Sequence, residues 1–198
     1  MGGWGLKDLE LFGWALRMKS MWRFLNTVSV WSEICCDKYL RNVDKISWFW
    51  RGDKSWGNSS PVWRGLLETR QWILLGLSWE IGSGSKVGIM EIKFEKSTPR
   101  ILSPQLVAFL WIKGYGTLSH IYTNSHHLSR VWQDSSFFRL NGSWKIQWDL
   151  FISTLQRLGI HLSDGEDKLI WLHNPSGMVD ARTAYTLLMA DKGPVDEI

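Results

Sequence analysis

Cys35, Cys36, His126 and His127 are the residues of this chain that together name a zinc ligand set. Zinc ligand pairs come from positions two to four residues apart, so that both side chains reach one ion, whereas adjacent residues diverge on a helix or strand. Two adjacent pairs therefore predict no metal site, with Cys35 in the core and the histidines in a loop. The run Gly82-Ser83-Gly84-Ser85 suggests a phosphate-cradling loop. Such loops lead into a helix N-terminus, whereas this one returns into a strand pattern, so a hairpin turn is the expectation. No G-x-S-x-G elbow and no H-E-x-x-H motif occurs, and no Ser/His/Asp set is placed together by its spacing. The acidic pairs Glu166-Asp167 and Asp196-Glu197 lie in turn and tail contexts and read as solvated charge. No catalytic residue, bound metal or cofactor is expected.

The alternation of tryptophan with basic residues points elsewhere. "MWRF", "SWFWRGDKSW", "VWRG" and "SWKIQW" set flat rings beside cations. Single-stranded nucleic acid is held by that combination, with bases stacked on aromatic rings and Lys or Arg on the phosphates. Trp48, Trp50, Arg51, Lys54 and Trp56, in a stretch with no clean period, are the candidate contacts to single-stranded RNA or DNA. The competing reading puts every indole in the core while the cations snorkel outward.

With 198 residues, 44% of them hydrophobic, the chain can bury a sizeable core. Its 15 tryptophans bring area to that core, along with N–H groups that need partners. The formal charge of +4 favours polyanions without requiring them. Adjacent cysteines are a strained disulfide pair, so no disulfide framework is expected and a reducing, intracellular location, nuclear or cytoplasmic, follows. The start of the chain has no signal-peptide pattern, and no apolar run reaches the roughly 18 residues of a membrane span, so neither secretion nor membrane insertion is expected.

The elements that must position these residues are mainly helical. Leu11, Trp14, Ala15, Met18, Trp22 and Leu25 recur at helical spacing and predict a helix over 7–25. Trp31, Ile34, Cys35 and Leu40 extend the pattern into a second helix over 28–40. Ser60 as N-cap with Pro61 behind it starts a third, over 61–74. Asp180 caps a fourth, over 181–190, and another is expected near 148–158. "RNVDKISWFWRGDKSWGNSS" reads as an ordered loop. Two small β-hairpins are predicted. In the first, Leu77, Trp79 and Ile81 face Val87 and Ile89 across the glycine loop; the second turns at 173–177. The fold class is α+β, with amphipathic helices and two hairpins. Its expected division is a helical region over 1–95 with the first hairpin, a loose linker over 96–145, and a helix, hairpin and C-terminal helix over 146–198.

"GGWGLKDLELFGWALRMKSMWRFL", "VWSEICCDKYL", "SSPVWRGLLETRQWILLGLSWEIGSGSKVGIM" and "DKLIWLHNPSGMVDARTAYTLL" resemble, in order, a region of plant non-LTR (LINE-type) retrotransposon reverse transcriptases. That region lies between the polymerase domain and a zinc-binding reverse-transcriptase domain. The likeness covers most of 2–190. It rests on three patterns together: GG-x-G-(I/L)-x-D-L, W-x-(I/V)-G-x-G and W-x-x-x-x-S-G-x-(F/V)-(S/D)-x-(R/K)-x-A-Y. The resemblance implies that the chain, although it opens with Met1, is an interior piece of an RNA-directed DNA polymerase polyprotein. Its partners would then be the neighbouring reverse-transcriptase domains. The family's polymerase uses an aromatic-x-Asp-Asp metal site, and no such tetrapeptide occurs here. The downstream cysteine/histidine cluster is missing too, and Met90 and Phe94 stand where the pattern has tryptophans. The resemblance thus implies a non-catalytic fragment with auxiliary nucleic-acid contact. A structural or protein-interaction module without such contact, or a functionless retroelement remnant, is the alternative.

Overall fold

The computed structural model describes residues 8–41, 43–52, 59–92, 101–124 and 130–191. The protein is a mainly helical α+β chain whose residues gather into two compact units, Met1–Leu77 with Leu169–Ile198, and Ser78–Lys168. This nested arrangement differs from the expected cuts at 95/96 and 145/146. Of the stretch 96–145, expected as a loose linker, the described residues 101–124 and 130–145 contribute ordered elements to the core of the second unit.

In the first unit, α1 (Leu9–Asn26) begins at Asp8, whose carboxylate accepts the N–H groups of Glu10 and Leu11 at 2.9 and 3.1 Å. These amides have no partner inside the helix, which is why a side-chain oxygen is favoured at that position. The buried residues Leu11, Ala15, Met18, Trp22 and Leu25 repeat at three and four, as the sequence predicts. The far end is held by Lys45, whose ammonium donates to the carbonyls of Phe24 and Thr27 at 3.0 and 2.9 Å.

Helix α2 (Val30–Cys35) opens with a Ser29–Ser32 capping box and runs into a π-helical turn, Cys36–Leu40, so the expected helix over 28–40 is present with its last turn widened. The stretch expected as a loop instead forms α3 (Lys45–Arg51), capped by Asp44. Seven residues make about two turns, too few to display a period, so the cap was its only local signal. The expected helix over 61–74 is two, α4 (Pro61–Glu68) and α5 (Arg70–Gly76). They part at the buried Thr69, whose hydroxyl donates to the Leu66 carbonyl at 2.7 Å. The core of this unit is aromatic. Trp63 stacks on Tyr39 with centroids 4.5 Å apart and on Trp48 at 5.6 Å, and meets the edge of Phe24 at 5.2 Å.

Strand β1 (Leu77–Glu80) has β4 (Lys168–Trp171) as its hydrogen-bonded neighbour, and not Val87–Ile89. The first hairpin is therefore not formed: residues 82–86 are a run of bends, and the expected second arm holds only an isolated antiparallel bridge from Gly88 to Thr117. Val87 and Ile89 are buried, with Trp79 and Ile81 partly buried against the same cluster. The second turn is where the sequence puts it, with the Trp171 N–H donating to the Gly177 carbonyl at 2.8 Å. It leads into helix α8 (Ala181–Asp191), not into a returning strand. Just before that turn the chain passes very close to Gly76. A Cβ there would lie 2.4 Å from His173 Cδ2 and 2.7 Å from Trp171 Nε1, so glycine is required.

The second unit holds α6 (Pro104–Ile112), a 3-10 turn (Leu118–Ile121), β2 (Tyr122–Asn124), β3 (Arg130–Trp132) and α7 (Gly142–Arg157). The last of these is the helix expected near 148–158, begun six residues earlier. β2 and β3 pair antiparallel with Tyr122 opposite Trp132. Neither they nor α6 are expected from the sequence. α6 is apolar at most positions, so polar contrast, the source of a visible period, is absent. Its start nevertheless repeats the Ser-Pro signal of α4, with Ser103 accepting from Leu106 N–H.

Helix α8 depends on Asp180, whose carboxylate accepts the N–H groups of Arg182 and Thr183 and the Thr183 hydroxyl, and also takes a hydrogen bond from Asn174. These bonds, led by the Thr183 N–H, hold its pKa below the usual aspartate value. A depressed carboxyl stabilises the fold above its unfolded pKa of about 3.9 and loses that contribution as pH falls through its lower folded value. The protection of α8 amides, taken relative to their intrinsic exchange rates at each pH, is accordingly expected to fall with acidification below about pH 4, and Asp180→Asn to weaken that pH dependence. An acid response in α8 unchanged by Asp180→Asn would refute this.

Candidate nucleic-acid interface

Lys54 and Trp56 lie outside the described residues, so the structure places three of the five candidate contacts. Trp48 sits on α3 with 6% of its surface exposed, stacked on Trp63, with its edge toward Phe24 at 6.4 Å. It offers no free face to a base. Trp50 is half-buried. Its carbonyl accepts from Arg70 Nη2 at 2.9 Å, while Arg70 Nε donates to the Phe49 carbonyl at 2.6 Å. Arg70 thus closes the C-terminal end of α3, where helix carbonyls lack partners and the dipole favours a cation. Arg51 is exposed, and its Nε donates back to the Ser47 carbonyl at 3.4 Å. The described part of the stretch ends a short helix, Lys45–Arg51, fastened from within, and of the three described candidates only Arg51 is on its surface.

The other tryptophan–cation pairs divide in the same way. Trp22 and Trp63 are buried while Arg23 and Arg64 are exposed, and Trp148 is buried while Lys145 is exposed. Trp144 is half-buried, tilted against Phe109 at 5.3 Å. Neighbouring residues on a helix point about 100° apart, so one can line the core while the next reaches water. Such alternation in helical segments follows from packing alone. Trp31 and Trp111 are the exposed tryptophans among the described residues, and neither belongs to the predicted patch.

Cys35 is buried and Cys36 half-buried, both as free thiols. Burial is the first cause raising each above the ordinary thiol value; for Cys35 the neighbouring Cys36 adds to it. Among the described residues no three His, Cys, Asp or Glu side chains come close enough to hold a metal ion. His126 and His127 lie outside those residues. No helix among the described residues is long and apolar enough to cross a membrane.

The glycine loop holds the anion contacts that the sequence does not reveal. Asp167 Oδ1 accepts the N–H groups of Gly82 and Gly84, both at 2.8 Å, and Oδ2 accepts that of Lys86 at 2.9 Å. Asp167 is 5% exposed, whereas Glu166 is exposed. The reading of this pair as solvated charge is therefore wrong for Asp167. More than 80 residues separate the carboxylate from its donors, so no local pattern announces them.

These features define a mainly helical α+β protein with aromatic cores and an internally satisfied glycine loop. Set against models of known protein families, curated proteins and solved structures, the chain matches none of them.

Proposed function

We propose that this chain is a non-catalytic structural segment of a plant LINE-type reverse-transcriptase polyprotein, in which the motif residues serve to hold the fold. The observation that carries this reading is the position of those residues. Asp8 of the first pattern caps α1, and its N–H donates to the hydroxyl of Tyr185, in the third pattern, at 3.0 Å. Gly82 and Gly84 of the second pattern bind Asp167. Ser176 and Gly177 build the turn before α8, and Asp180 caps it. Caps, turns and internal ties are what a scaffold keeps. Trp48 in the core favours that role over base stacking.

Two experiments test this. Genomic sequence on both sides of the coding region is expected to contain an aromatic-x-Asp-Asp palm upstream and a cysteine/histidine cluster downstream; intact unrelated genes on both sides would overturn the origin. Titration of the full chain with labelled single-stranded RNA at low salt is expected to give no saturable binding. Saturable binding abolished by Arg51→Ala would restore the 48–56 stretch as an interface.

A further inference from the structure

The Gly82–Lys86 loop keeps three main-chain N–H groups, at alternate positions, trained on one carboxylate. Gly84 lies in the left-handed region at φ +71, where a side chain would be strained and its Cβ would come within 2.8 Å of Leu118 Cβ. Turns of this kind aim successive amides inward and form concave anion sites. We propose that this loop is an oxyanion-binding nest whose resident ligand is the chain's own Asp167.

Two further observations support this. The flanks are braced independently of the carboxylate: Ser83 N–H donates to the Gly165 carbonyl and Ser163 N–H to the Gly82 carbonyl, both at 2.8 Å. The Ser83 and Ser85 hydroxyls bond each other at 2.9 Å and take no part in holding Asp167. The nest therefore has a frame that can persist when the side chain is trimmed. A buried carboxylate is costly unless its oxygens accept strong hydrogen bonds, and the buried N–H groups of Gly82 and Gly84 are costly without an acceptor, that of Lys86 being partly buried. Each half thus satisfies the other, and all three amides are engaged. In the intact chain the nest is closed to outside anions; without Asp167 it presents a polar vacancy shaped for a small carboxylate.

Trimming the side chain in the full chain with Asp167→Gly is expected to lower Tm. Sodium formate should then restore it saturably, while sodium chloride at equal ionic strength leaves it unmoved. Recovery by formate and not by inorganic phosphate matches a planar carboxylate site, and recovery by both matches a broader oxyanion site; either supports the nest. The proposal is overturned if the variant melts with the parent, if formate and chloride act alike on it, or if formate raises the parent equally. Should Asp167→Gly fail to fold, Asp167→Asn supplies the test. Its carboxamide keeps one acceptor oxygen and turns an N–H₂ group toward a donor. Amide exchange should then accelerate at one or more of Gly82, Gly84 and Lys86 while Ser83 and Ser163 stay slow. Unchanged exchange at all three would overturn the assignment.

Discussion

Replacing Trp63 with alanine is expected to remove about 3–5 kcal/mol of stability, a large part of the roughly 5–15 kcal/mol that holds a typical domain folded. Trp63 is 2% exposed, and its ring is the shared contact of Tyr39, Trp48 and Phe24, which come from three other stretches of the chain. Deleting it removes apolar area and leaves a cavity between elements that cannot all close in. The Tyr39 ring also loses its stacking partner, held at 10° between planes. Urea denaturation followed by near-ultraviolet circular dichroism reads the effect, with Trp63→Phe expected to cost less because most of the ring volume remains. Trp31→Ala, at a ring that is 43% exposed, should cost much less than either. A Trp63→Ala variant with an unchanged midpoint would mean that this aromatic cluster is not the core.

The second large effect belongs to Trp148 in the other unit. Its ring is fully buried, with centroids 4.9 Å from Phe138 and 5.5 Å from Phe151, and its indole N–H donates to the Gln133 carbonyl at 3.0 Å. Trp148→Ala is expected to cost about 3–5 kcal/mol for lost packing and cavity, with about 1–3 kcal/mol more where the Gln133 carbonyl loses its donor. Trp148→Phe separates the two contributions, since it keeps an aromatic ring and loses the N–H. A loss on Trp148→Phe close to that of alanine would assign most of the stabilisation to the hydrogen bond. Denaturation midpoints of the three proteins decide this, and an alanine variant as stable as the parent would remove Trp148 from the core.

Both predictions return to the abundance of tryptophan, whose placement the sequence left open. Beside a cation, an indole looks the same in the chain whether it stacks on a base or on Phe24. The difference lies in which segments pack around it. Trp48 is covered because α3 sets it against Trp63, fifteen positions away, and Arg51 on the same helix remains outside. Arg70, which ties down the end of α3 through the carbonyls of Phe49 and Trp50, carried no signal at all, because its acceptors are main-chain groups about twenty residues distant.

What the sequence determined by itself was local. The helix of 7–25, the Ser-Pro start of α4, the turn at 173–177 and the Asp180 cap each depend on residues within a few positions of one another. Periodicity and the satisfaction of end amides are decided at that range. Strand pairing and the occupant of the glycine loop were decided only in the tertiary structure. Alternation marked Val87 and Ile89 as buried, and they are, although they flank one isolated bridge at Gly88 and do not lie in a strand; hydrogen-bond partners are chosen by whichever backbone arrives alongside. For β1 that backbone is β4, and for the amides of Gly82, Gly84 and Lys86 the acceptor is Asp167. A carboxylate becomes an internal ligand only when the fold carries it out of water and against donors that have no other partner. That meeting is a property of the packed chain and is absent from either segment alone.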